Sequence, residues 1–188
     1  MNNEQRPITE LRSKFSLPCV VLGGAPSLIE DIKRIPEDCI KIAANHHAYK
    51  LGIETDFLVF KDSPKKHPNL KEALDNHRGI VISKLEEYTD FIINVRHFDR
   101  GFTGMLCTWI AQYISTGETI LCGMDSYSGE KKYFHNQVFN HNVDPNNLLR
   151  QWKVAIEAPP HIEGLPEPNR VSVISGPLQQ IFKPYEES

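Results

Sequence analysis

No sign of charge dominates this chain of 188 residues, no apolar run is long enough to cross a bilayer, and no cysteine pair has zinc or redox spacing. Each absence removes a class of protein. Its 21 Lys and Arg nearly balance 24 Asp and Glu, so a formal net charge of −3 provides no basic field to hold a nucleic-acid backbone non-specifically. The N-terminal MNNEQRPITELRSKF is charged throughout and lacks the apolar core of a signal peptide. With no stretch near the roughly 20 apolar residues of a membrane span, the expectation is a soluble, cytoplasmic chain without membrane insertion. Cys19, Cys39, Cys107 and Cys122 sit in or beside apolar runs without C-x-x-C spacing. They read as small buried hydrophobes rather than disulfide partners or zinc ligands.

What is present is alternation. CVVLG (19–23), IKIAAN (40–45), DFLVFKD (56–62), GIVISK (79–84), TILCGMD (119–125) and RVSVIS (170–175) have the length and β-branched content of buried strands. Between them lie the helical candidates SLIEDIKRI, HHAYKLG, NLKEALDNH, TGMLCTWIAQYIS and PNNLLRQWKVAIE. Strand then helix, repeated, predicts an α/β fold with a mostly parallel sheet covered by helices on both faces, and the length suits a single domain over 1–188. The ends, 1–14 and 184–188, are expected to be loosely ordered. Leu106, Ile110 and Ile114 form the apolar stripe of the helix at 103–115, which Cys107, Trp109 and Tyr113 widen. Asp144 and Pro145 read as N-cap and first residue of another helix, leaving 126–143 as a long loop after a strand. Open α/β sheets build their sites beside such loops.

The turn GGAPSL (23–28) lacks both the GxGxxG of dinucleotide folds and the Lys-Ser/Thr pair of a P-loop. A glycine corner between strand and helix suits an anion, because helix N-terminal N–H groups converge there. Equally, Ser27-x-x-Glu30 reads as a capping box that would spend Ser27 on its own helix. Thr103 and Gly104 open another helix and offer either a second set of donors or an ordinary cap. Asn45, leaving a strand, is a turn residue or a contact to base or ribose.

His135 and His141 share the long loop with Tyr127 and Tyr133, close to Asp125, and such a cluster suits general-base work with a stabilised leaving group. The adjacent His46 and His47 would diverge by about a quarter turn on a helix, too far to share one ion easily. Asp125, His135, His141 and His161 are the alternative as a metal site, but without HxxxH, HxH or Asp-x-Asp spacing no metal is expected.

Taken together and in order, VVLGGAPSL, IAANHHAY, FLVFKDSP and TGMLCTWIAQYISTGETILCGMDSYSGEKKY followed by His141 resemble the bacterial sialyltransferases of glycosyltransferase family 42. The same framework is similar to the related pterin-diphosphokinase-like and motility-accessory proteins. The resemblance, over roughly 18–182, implies a Rossmann-like domain and metal-independent, inverting transfer from a nucleotide sugar to a hydroxyl-bearing acceptor, without a further cofactor. Nucleic acid would enter only as an acceptor, and a second copy of the chain is a partner the sequence allows. The resemblance puts His141 on the catalytic base and Tyr127 and Tyr133 on the departing phosphate. It puts Ser27, Thr103 and Gly104 on phosphate and sugar contacts and Asn45 on a nucleotide contact, with Gly23, Gly24, Asp62 and Asp125 around the same site. The chain departs from the family where Gly24 stands for an Asn, Ala25 for a Gly and Asp62 for an Asn. Alternatives on the same framework are a nucleotide-binding or sequestering protein and a pyrophosphoryl transferase needing Mg²⁺ held by Asp62 and Asp125.

Overall fold

The computed structural model describes residues 6–93, 102–125, 130, 132–135, 144–157 and 170–187. Nine strands among them form one sheet: β1 (Arg6–Pro7), β2 (Cys19–Leu22), β3 (Ile40–Ala44), β4 (Phe57–Phe60), β5 (Ile80–Ser83), β6 (Phe91–Ile92), β7 (Thr119–Cys122), β8 (Val171–Val173) and β9 (Lys183–Pro184). Their order is β1-β6-β5-β4-β3-β2-β7-β8-β9, and every pairing is parallel. The α/β fold and the parallel sheet agree with the sequence pattern.

Why the central strand sequences are mostly apolar is plain from the two cores. Val21, Ile42, Val59 and Leu121 face one core, and Val20, Leu22, Ala43, Leu58 and Ile120 face the other. Successive side chains of a strand point to opposite faces, so a sheet covered on both sides needs hydrophobes at every position. The first face is covered by α4 (Thr103–Ile114), which packs across β2, β3, β4 and β7. Burial runs round the whole of α4 from Met105 to Ile114, wider than the stripe in its sequence, because Trp152 and Phe182 join the same core. Trp152 lies on α5 (Pro145–Glu157), whose start is as expected: the Asn146 N–H donates to Asp144 Oδ1 at 3.0 Å. The second face carries α1 (Leu28–Asp31), α2 (His47–Lys50) and α3 (Pro68–Asn76), through Leu28, Ala48 and Leu70. Of the four cysteines, Cys19, Cys107 and Cys122 are buried, Cys39 is half-buried, and all are free thiols. Burial pushes the Cys19 thiol up to about 12, as befits a packing residue.

Loosely ordered ends do not describe residues 6–14 or 184–187. β1 pairs with β6, and Ile8 and Leu11 are 0% and 1% exposed. At the other end β9 pairs with β8, and Tyr185 is buried. Two-residue edge strands are too short to leave a periodic pattern, yet they pin both ends to the sheet.

Candidate functional site

Connections leave β2 and β7 toward opposite sides of the sheet, β2 leading to β3 and β7 to β8. In parallel sheets such a reversal opens a crevice beyond the strand C-termini. A cleft of about 370 Å³ lies there. Its floor is backbone. Gly23 N–H donates to the Cys122 carbonyl at 2.8 Å and Ala25 N–H to the Gly123 carbonyl at 3.0 Å. A Cβ on Gly23 would stand 2.2 Å from the Gly123 carbonyl oxygen, so only glycine fits. Gly123 has φ +67°, and a Cβ there would meet Leu28.

Ser27 does not cap its helix. It has helical φ/ψ and no capping bond, and its hydroxyl donates instead to Asp125 Oδ1 at 2.6 Å. The capping-box expectation fails because α1 is a single turn followed by a 3₁₀ turn, while the end of β7 places a carboxylate beside the hydroxyl. Burial raises the Asp125 carboxyl above its ordinary range, and the Ser27 bonds oppose that shift. Asp125 lines the cleft with Gly23, Gly24, Asn45, Asp62, Thr103, Gly104 and Tyr133. Thr103 is not a cap either, since it is the first residue of α4, and Phe102 before it makes no side-chain cap. Phe102, Thr103 and Gly104 line the cleft, so the start of α4 lies at its wall with no side-chain acceptor from the cap position. Asn45 has φ +59°, and its Oδ1 is buried without a hydrogen-bond partner among the described residues. His141 and Tyr127 lie outside the described residues.

Histidines crowd the cleft edge more closely than a helical spacing suggests. His46 sits in the turn before α2, so the quarter-turn divergence does not apply, and the His46 and His47 ring centroids are 4.6 Å apart. His47 Nδ1 lies 2.9 Å from His135 Nε2. Tyr133 stacks on His47 at 4.9 Å and on His135 at 5.5 Å between centroids. Burial, followed by its two histidine neighbours, holds the His47 pKa well below the ordinary imidazole value. The Phe134 N–H donates to the Gly24 carbonyl at 3.1 Å, fastening 132–135 to the glycine turn. A Cβ on Gly24 would be 2.5 Å from the His47 ring, so this imidazole fills the space a larger residue at 24 would need.

The fold matches known structures. The fold is that of two solved sialyltransferases. The monofunctional alpha-2,3-sialyltransferase Cst-I from Campylobacter jejuni aligns with a TM-score of 0.61 at 15% identity, covering 92% of this chain and 81% of that one. The Campylobacter jejuni sialyltransferase CstII, solved in complex with a substrate analogue, cytidine-5'-monophosphate, aligns with a TM-score of 0.63 at 14% identity, covering 92% of this chain and 86% of that one. No protein-family model and no curated protein matches the sequence.

Within this sialyltransferase-like fold the cleft also takes in residues that the sequence did not single out as site residues. Phe102, Met124, Leu148 and Trp152 make an apolar wall, and Lys61 and Lys132 add cationic groups near Asp62 and Asp125 in the lining. Lys61 adjoins Asp62 at the end of a strand, a position that could have flagged it. Trp152 carries no such signal, because its helical period reads only as core. Among the described residues no helix is long and apolar enough to cross a membrane.

Proposed function

We propose that the chain is a metal-independent, inverting glycosyltransferase acting on a nucleotide sugar. The observation that carries this reading is the pairing, in one cleft, of the uncapped N-terminus of α4 with the unpartnered Oδ1 of Asn45. The first suits a phosphate, by helix dipole and free N–H donors. The second is an acceptor whose burial without a donor costs about 1–3 kcal/mol, an expense that a base amino group or ribose hydroxyl would offset. Support also comes from the fold, shared with a sialyltransferase solved with cytidine-5'-monophosphate.

In this reading His141 takes the acceptor hydroxyl proton as the anomeric carbon is attacked from the face opposite the departing nucleotide. Tyr127 and Tyr133 donate phenol hydrogen bonds to the phosphate, stabilising charge without carrying any. Thr103 and Gly104 hold the phosphate, while Gly23 and Gly24 form the floor beneath the nucleotide, their missing side chains leaving room for the Gly123 carbonyl and the His47 ring. Ser27 acts at one remove, by holding Asp125. Asp62, exposed in the cleft wall, disfavours an acidic sugar, which points to a donor other than an anionic one.

A thermal-shift series over nucleoside monophosphates and nucleotide sugars, followed by turnover of whichever donor stabilises the chain, tests the proposal. Turnover is expected without added Mg²⁺ and to fall roughly 100-fold or more in His141→Ala. Full activity in that variant would refute the mechanism. Turnover that requires Mg²⁺ and releases a pyrophosphorylated product would favour the pyrophosphoryl transferase, and binding without turnover of any donor would favour a sequestering protein.

A further inference from the structure

We propose that His46, His47 and His135 form a site for one divalent transition-metal ion of the zinc class, which staples residues 132–135 to the end of β3 and the Gly23–Gly24 turn. The donor atoms of these three side chains all lie within 4.8 Å of one another. His47 Nδ1 and His135 Nε2 are already 2.9 Å apart, although the residues are 88 positions apart in the chain. Around a tetrahedral zinc with Zn–N bonds of about 2.0–2.1 Å, ligand nitrogens stand roughly 3.3 Å from one another, so small ring rotations suffice. His46 and His47 are each only 6% exposed. Three imidazoles gathered at a partly enclosed edge, with no carboxylate in the set, select zinc, copper or nickel over the oxygen-seeking Mg²⁺ and Ca²⁺.

Without an ion, one of the two close nitrogens must carry the hydrogen that the other accepts. With an ion, both present lone pairs, and the hydrogen sits on the outer nitrogen of the same ring. Two backbone features suit the site to an ion. Gly24 leaves the room that the His47 ring occupies, and the Phe134 N–H bond to the Gly24 carbonyl holds the segment beside it. Three protein nitrogens leave a fourth position, and His46 and His47 both line the cleft, so water or a ligand oxygen can complete the shell. The inference goes beyond the proposed transfer reaction, which asks nothing of a metal on the leaving phosphate.

Calorimetric titration of the tag-free, chelator-stripped chain with Zn²⁺ alone tests it, with the melting temperature recorded with and without the ion. The expectation is one Zn²⁺ per chain, a raised melting temperature, and affinity weakened roughly 100-fold or more in both His135→Ala and His46→Gln. His77→Gln, at the opposite end of the sheet, should bind as the parent does. Substitution with Co²⁺ should give visible bands of four-coordinate intensity in the parent, a readout that needs no variant to fold. Absence of stoichiometric binding by the parent, or equal affinity in parent and both trio variants, would overturn the site. Neither result bears on sugar transfer, and loss of transfer would leave metal content unchanged.

Discussion

The two ends of the parallel sheet treat polar groups in opposite ways. Beneath the strand N-termini, Arg170 donates to the carbonyls of Gln112, Ser115 and Gly117, closing the C-terminus of α4, and the Ser115 hydroxyl donates to the Leu17 carbonyl. Arg34 with Glu187 and Lys183 with Glu118 add ion pairs around a groove at that end. Beyond the strand C-termini, polar groups gather around a cleft, and among the described residues the buried Asn45 Oδ1 finds no partner. The lower end commits many hydrogen bonds to the fold, yet Thr119 Oγ1, His77 Nε2 and Arg170 Nε are buried there without a partner among the described residues. The difference is that Asn45 lines a cleft, so an uncommitted polar group points to a site only where it borders a cavity.

This contrast can be broken by substitution, and the largest effect is expected below. Arg170→Ala strands three carbonyls and should lower stability by about 2–3 kcal/mol in a urea titration, while leaving the size of any nucleotide-induced thermal shift unchanged. Gly24→Ala should do the reverse. Its Cβ would press on the His47 ring, costing about 1–2 kcal/mol, and calorimetry should find both nucleotide and Zn²⁺ binding weakened. Parallel losses of stability and binding in both variants would erase the distinction.

The smallest effect concerns His77, at the lower end, whose half-buried ring has an Nε2 without a partner among the described residues. Burial lowers its folded-state pKa, so the unfolded chain binds a proton near pH 6.5 that the folded chain does not take. Its contribution is therefore complete above about pH 6.5 and is lost as pH falls toward the folded value. In His77→Gln the drop in stability between pH 7.5 and 5.5, measured by urea midpoint, should be smaller than in the parent. An unchanged drop would show that this ring does not titrate in that window.

Most of the scaffold was legible in the sequence because parallel strands buried on both faces are written as continuous apolar runs, and Asp144-Pro145 marks a helix start chemically. The glycine turn was legible as a corner at the strand ends, where the cleft lies. Its hydrogen bonding was not, since Ser27 finds its partner 98 residues away and a capping box is judged from four adjacent residues. The closeness of the His46 and His47 rings was not legible for a related reason: adjacent residues diverge only if both lie on a helix, and His46 sits in the turn before it. The edge strands escaped notice because two residues carry no period.

One consequence of the glycine floor concerns how ligand preference can change. Where Gly23 meets the Gly123 carbonyl, the floor of the cleft is bare peptide with no side chain to exchange. Selection, natural or in the laboratory, must therefore work on the side chains around that floor, among them Phe102, Met124, Leu148 and Trp152. A library confined to those four positions would retune what the cleft accepts while the floor kept its shape.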